Sequence, residues 1–219
     1  AGIQRAAGVS YLALTPNLCV FTDALGAKAD EVAIFTSASE GFSQANVNIS
    51  IDNSLNWGRD VAQAAEPAEL PVRGYIPCVT ECPYDGLVDS QRVLCLAAKL
   101  LDMGCYEISL CDTIGRATPP QIEALLTCLC GDIGAARLAG RYHDTGGQAW
   151  ANVPVSLAHG MRVFDAAIGG LGGCTYAPGV VGNIATEKLH RSLMDLGYDT
   201  GLMTGQIDKV AAMSRAMPG

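Results

Sequence analysis

Short apolar runs alternate with longer amphipathic segments along the whole of this chain, and that alternation limits the fold more than any single motif does. An apolar run of four to eight residues followed by a helix-period segment marks a βα unit, and repeated units build a parallel sheet covered by helices. Strands are predicted at 10–15, 31–36, 72–79, 106–111, 137–143 and 163–168, with helices at 21–29, 51–65, 90–103, 119–130, 148–159 and 184–196. Ser90 is the predicted cap of a helix whose Val93, Leu94, Ala97, Leu100 and Leu101 form one apolar stripe. The last helix has Glu187 in its first turn, an apolar side of Ile184, Leu189, Leu193 and Leu196, and Gly197 as its stop. Polar residues follow several strand ends, as on the catalytic rim of an α/β barrel. Six units fall short of the eight that close such a barrel, so about two are expected to be absent or supplied elsewhere. The opening AGIQRAAG reads as the end of a helix, which makes 1–219 a single barrel domain expected to be incomplete at its N-terminus.

Composition narrows the classes further. Of the 219 residues, 49% are hydrophobic and only 16% charged, which favours a large buried core over a disordered chain. The net charge of -8, with no Lys/Arg cluster, excludes a general grip on nucleic acid but permits a local anion pocket. No apolar run reaches the roughly twenty residues of a membrane span. The cysteines number nine, an odd count, and several lie within apolar runs, which predicts reduced thiols in a cytoplasm-like compartment. Cys78 and Cys82, and Cys128 and Cys130, are close in sequence but lack a second pair at zinc-site spacing.

Chemistry concentrates at the strand ends. In ARLAGRYHDT, Arg141 and His143 are two apart on a strand and so share one face, toward the lumen of a barrel. His143 reads either as a metal ligand or general base, or as a hydrogen-bonded strand-end histidine. His159 and His190 fall in helices and are expected at the surface. Cys174 follows Gly172 and Gly173 in the loop GLGGCTYAPGVVGN, as a proton donor or simply as a small loop residue. Asn183 could give a carbonyl oxygen to a hard cation or cap the last helix. Asp112 could orient a substrate hydroxyl or cap the following turn. Asn17 adds a polar group to the same rim or belongs to an ordinary Pro-Asn turn, and Ser43, Asn46 and Asn48 read as a solvated loop.

Taken together, LTPNL, VAIFTSASEGFSQANVNIS, RGYIPCVTECPYDG, LLDMGCYEISLCDTIGRATP, YHDTGGQAWANV and GLGGCTYAPGVVGNIATE resemble the hydroxymethylglutaryl-CoA lyase family, collinearly over nearly the whole chain. The resemblance implies a TIM (β/α)₈ barrel, of which this chain would carry strands three to eight. It also implies cleavage of hydroxymethylglutaryl-CoA to acetyl-CoA and acetoacetate, as in leucine degradation, with a divalent cation, Mg²⁺ or Mn²⁺. An acyl-CoA substrate, a homodimer, and a cytoplasmic or, in a eukaryote, mitochondrial-matrix location follow from it. By the same resemblance His143 and Asn183 match metal ligands, Cys174 the catalytic loop cysteine, and Asp112 an aspartate near the substrate. Asn17 would contact substrate. Arg141 stands where the family has its other histidine ligand, and a guanidinium stays protonated and does not coordinate a cation. Cys111 replaces a usual Gly, and Thr175 a usual Pro. Two alternatives stay open: another metal-dependent aldolase or Claisen-type synthase of the same superfamily, and a non-catalytic paralogue.

Overall fold

A computed structural model describes residues 2–173, 176–177 and 179–216. In chain order the elements are β1 (Leu12–Leu14), α1 (Leu18–Gly26), β2 (Glu31–Phe35), α2 (Glu40–Val47), α3 (Ile51–Ala65), β3 (Val72–Pro77), β4 (Glu81–Cys82), β5 (Gly86–Leu87) and α4 (Ser90–Asp102). They continue with β6 (Ile108–Asp112), α5 (Pro119–Cys130), β7 (Leu138–Tyr142), α6 (Ala149–Ala158), β8 (Val163–Asp165), α7 (Thr186–Asp195) and α8 (Thr204–Arg215). The six predicted strands form one parallel sheet in the order β1-β2-β3-β6-β7-β8, and β4 and β5 make a small antiparallel hairpin. This is the strand arrangement of a partial (β/α) barrel.

Two-residue periodicity sorts the sheet into two faces. Val32, Ile34, Val72, Ile76, Ile108, Leu110, Leu138 and Tyr142 face outward and pack under the helices, joined there by Val93, Leu100, Ile122, Leu126 and Val153. Each fully buried Leu or Ile contributes ~1.5–3 kcal/mol, and this layer is where the chain's apolar excess goes. The tyrosine among them satisfies its hydroxyl on Ser156 of α6, 2.6 Å away.

The inner face is partly polar, and its floor is ionic. Arg73 is 6% exposed and donates from Nε to Glu107 and from Nη1 to Asp165, each at 2.8 Å. Ser109 donates to the other oxygen of Asp165 at 2.7 Å, and Arg73 also donates to the Tyr75 hydroxyl. A guanidinium so far from water is tolerable only with such partners.

Several local expectations change. Helix α1 starts three residues before its predicted position because Asn17 caps it, accepting from Val20 N at 3.1 Å. The cap of α4 is Asp89 rather than Ser90, which is its first residue. The expected solvated loop around Ser43 is α2, with Phe42 and Ser43 buried and Asn48 closing the helix in a left-handed conformation. Helix α8 was not anticipated: its buried Ile207, Ala211 and Ser214 make too thin an apolar stripe to stand out. Neither remaining histidine is a surface residue. His190 is 2% exposed between Thr200 and Thr204, at 2.7 and 2.8 Å, and His159 is partly buried and lies 3.1 Å from Glu123.

Because Arg73 ties three strands together across the lumen, Arg73→Ala should strand Glu107 and Asp165 and lower stability by ~3–5 kcal/mol in urea unfolding. An Arg73→Met variant, which replaces the lost volume but leaves both acids unpaired, is expected to recover only part of that loss.

Candidate active site

Above the ionic floor the lumen opens into a cavity of about 410 Å³ at the C-terminal ends of the strands. Leu12, Leu14, Ala33, Phe35 and Pro77 give it apolar walls, while Tyr75, Cys111, Arg141 and His143 bring the chemistry. All of these lie at alternate positions of their strands, so the same periodicity that builds the core selects the lining. Arg141 and His143 share the cavity, as the sequence spacing implies.

His143 is placed by a junction between distant segments. Residues 182–184 run alongside the end of β7, and His143 forms an antiparallel bridge with Asn183. Asp144 N donates to Gly182 O at 3.2 Å, and Ile184 N to Tyr142 O at 2.8 Å. Gly182 is required at this crossing, since a Cβ there would lie 1.6 Å from the Gly170 carbonyl oxygen. The Asn183 amide donates from Nδ2 to the carbonyls of Leu171 and Gly172, at 3.0 and 3.3 Å. Those two acceptors fix which way the amide faces. Its Oδ1 is buried and has no hydrogen-bond partner among the described residues. An unsatisfied buried acceptor is costly, so this atom is suited to a ligand's donor. Asn183 does not cap α7, whose preceding residue is Ala185.

The His143 ring nitrogens lie 3.2 Å from two carbonyls, Nδ1 from Asp112 O and Nε2 from Gly172 O. A neutral ring has one N–H and can donate to only one of them. Burial first, and then the positive charge of Arg141, hold the imidazole below its ordinary pKa of 6.5, so it is neutral at pH 7.

Asp112 is turned away from the cavity. Cys111 takes the inward position on β6, and its neighbour therefore faces the opposite side, in register with Tyr142. The Asp112 carboxylate is 1% exposed and accepts from the backbone N–H groups of Gly115, Arg116 and Ala117 at 3.1, 3.3 and 3.0 Å. Burial raises its pKa to about 6 against those three bonds. It caps the turn after β6 and positions His143 through its own carbonyl. Gly115, at φ 66°, lets that turn pass under the His143 carbonyl, which would be 2.7 Å from an added Cβ. Asn17 is likewise spent on its helix. Cys174 and Thr175 lie outside the described residues. Their neighbours Gly172, Gly173 and Tyr176 line the cavity, and the Tyr176 carbonyl accepts from the Tyr84 hydroxyl at 2.8 Å. Sequence reasoning missed Tyr75, although Arg73 and Tyr75 carry the same two-residue spacing as Arg141 and His143.

The donor set can be tested against a divalent cation. His143 and Asn183 do come together, but both are neutral. Among the described residues no three His, Cys, Asp or Glu side chains cluster closely enough to hold a metal ion. Hard divalent cations favour carboxylate oxygens, and the rim carboxylate Asp112 is engaged elsewhere. Arg141 adds a permanent positive charge to the same cavity. These residues by themselves do not fit a divalent cation.

Protonating His143 requires charging a ring that is buried beside a cation, whereas the unfolded chain takes up the proton near pH 6.5. The native state is therefore expected to lose stability as pH falls from 6.5 through the lowered native value. Thermal melts of the protein and of His143→Gln between pH 7.5 and 5 should show the steeper decline in the former.

Comparison with known proteins places this architecture. The HMGL-like family model matches residues 3–213. The 3-hydroxy-3-isohexenylglutaryl-CoA/hydroxy-methylglutaryl-CoA lyase of Pseudomonas aeruginosa is 48% identical over 202 residues, covering 92% of this chain and 67% of that protein. The crystal structure of the HMG-CoA lyase from Brucella melitensis superposes with a TM-score of 0.95 at 47% identity, covering 98% of this chain and 76% of its own. An HMG-CoA lyase from Acinetobacter baumannii, in complex with coenzyme A and 3-methylmalate, superposes with a TM-score of 0.91 at 30% identity, over 96% of this chain and 68% of that one.

Proposed function

This chain belongs to the HMGL-like family, and from that membership we propose that it is a carbon–carbon lyase that cleaves 3-hydroxy-3-methylglutaryl-CoA to acetyl-CoA and acetoacetate. The observation that carries the reading is the His143–Asn183 junction at the mouth of the cavity. It holds a neutral imidazole in the cavity wall and bridges it to Asn183, whose buried amide oxygen is unpartnered among the described residues, in the fold shared with the named lyases.

The reaction is a retro-Claisen cleavage. The tertiary hydroxyl gives up its proton, its C–O bond becomes the ketone of acetoacetate, and the adjacent carbon–carbon bond breaks. The electron pair leaves on the thioester fragment as an enolate, which takes up a proton at carbon to become acetyl-CoA. His143 suits the first proton. When its Nδ1–H is donated to the Asp112 carbonyl, the Nε2 lone pair lies beside Gly172, and a substrate hydroxyl that displaces the Gly172 carbonyl meets an acceptor. Asp112 acts as a positioning residue, through its carbonyl and the turn it caps. Cys174 is proposed as the donor of the proton to the enolate carbon, since Gly172 and Gly173, just before it in sequence, line the cavity and allow a close backbone approach to the substrate. The apolar walls exclude water from the enolate.

The family is one of metal-dependent lyases, in which the cation polarises the hydroxyl. Of that set, this chain's described residues provide His143 and Asn183, and no step above is routed through a metal. Coenzyme A is proposed to lie across the mouth, as the acyl-CoA relatives and the coenzyme A complex suggest. No helix among the described residues is long and apolar enough to cross a membrane.

Incubation of the full chain with 3-hydroxy-3-methylglutaryl-CoA, with acetoacetate followed by a coupled dehydrogenase, is expected to show product. Removal of the proton acceptor in His143→Ala should lower kcat/KM by ~10²–10⁴-fold. Thioester consumption without acetoacetate, or activity that survives His143→Ala unchanged, would overturn the assignment.

A further inference from the structure

One wall of the cavity is tied to the β4–β5 hairpin, an element to which the reaction above assigns no part. Gly173 and Tyr176, which flank Cys174 in sequence, both line the cavity. Among the described residues from Gly173 to Val180, the bond from the Tyr84 hydroxyl to the Tyr176 carbonyl, at 2.8 Å, is the hydrogen bond that reaches another element, while Val180 N turns back to Ala177 O. A separate cavity of about 300 Å³ is lined both by Ala177, Gly179 and Val180 and by Cys82, Pro83 and Gly86, so the two segments do not close against each other by packing. The hydroxyl therefore carries the attachment.

Tyr84 is itself well fixed. Strands of two residues cannot hold a hairpin by their own ladder, and here side chains do so. Asp85 accepts from Ser39 Oγ and Gly41 N at 2.7 and 2.8 Å, and the Cys82 sulfur accepts from the N–H groups of Tyr84 and Asp85 at 3.3 and 3.4 Å. Gly41 lets the tip sit this close to α2, since a Cβ there would be 2.8 Å from Tyr84 Cβ. The Tyr84 ring lies 6.4 Å from that of Phe42, a buried residue that also lines the catalytic cavity. We propose that Tyr84 is a positioning residue, whose hydroxyl anchors the Tyr176 carbonyl and through it the stretch of chain that carries Cys174. Its chemical consequence, delivery of the proton to the enolate carbon, rests on the lyase reading. A proton donor misplaced by about 1 Å costs rate more than affinity.

Tyr84→Phe keeps the ring on Phe42 and removes only the hydroxyl. Hydrogen exchange followed by mass spectrometry should show the 172–181 peptide exchanging about three- to tenfold faster in this variant, as for the loss of one net hydrogen bond, with the peptides over α2 and α5 unchanged. The kcat for acetoacetate release should fall by a similar factor, with KM within about twofold of the unaltered protein. Asp85→Asn slackens the hairpin but leaves the hydroxyl, so it should raise the same exchange by a smaller factor, and it decides the matter if Tyr84→Phe does not fold. Unchanged exchange at 172–181, a rise shared by the α5 peptide, or a loss confined to KM overturns the proposal. Acetoacetate release separates the two readings. An active protein whose Tyr84→Phe variant matches it in exchange and kcat keeps the lyase and sinks the anchor, whereas a protein without release sinks the lyase, and the exchange comparison still decides the anchor.

Discussion

The Arg73–Asp165 ion pair at the bottom of the lumen is the contact on which the character of the site depends. A buried guanidinium cannot be left bare, and Arg73 reaches from β3 across to β6 and β8 to find its partners. Two consequences follow at once. Strands far apart in sequence are fixed at one height, which sets the level of the cavity above them. Asp165 also lies in register with Arg141 on the neighbouring strand, so the two acids of the floor, Glu107 and Asp165, balance the guanidiniums of Arg73 and Arg141.

The other decisive arrangement is the pairing of residues 182–184 with the end of β7. It converts a strand-end histidine into a member of a constellation, because Asn183 and the Gly172 carbonyl arrive on one side while the Asp112 carbonyl holds the other. The crossing depends on glycine, since no side chain fits between Gly182 and the Gly170 carbonyl. Its far end is anchored by Glu187, which accepts from Gly169 N at 3.0 Å and pairs with Arg215 of α8 at 3.2 Å. A helix remote from the cavity therefore helps hold the loop that lines it.

Much of the architecture was legible in advance, and for a definite reason. Parallel strands buried on both sides read as apolar runs, and amphipathic helices read as stripes, so all six sheet strands and the helices α3 and α5 were recognisable from pattern alone. Where the pattern is weak the reading failed. Helix α2 buries little beyond Phe42 and Ser43, α8 offers a thin stripe, and the two-residue strands of the β4–β5 hairpin carry no periodicity. In the site, the i, i+2 spacing of Arg141 and His143 gave their common face. Applied to Cys111 and Asp112, the same rule puts the carboxylate on the opposite side of the sheet, where three backbone N–H groups take it.

The amino-acid order by itself determined the βα succession, the family resemblance, and which strand residues share a face, because these depend on spacing within one segment. Only the tertiary structure decided that Asn183 meets His143, that Asn17 and Asp112 are committed to their own backbones, and that Arg73 takes the carboxylate beside Arg141. Those outcomes depend on which groups from distant segments compete for the same buried partner. That competition is settled by packing in three dimensions, where a polar group without water must find whatever donor or acceptor the fold brings within reach.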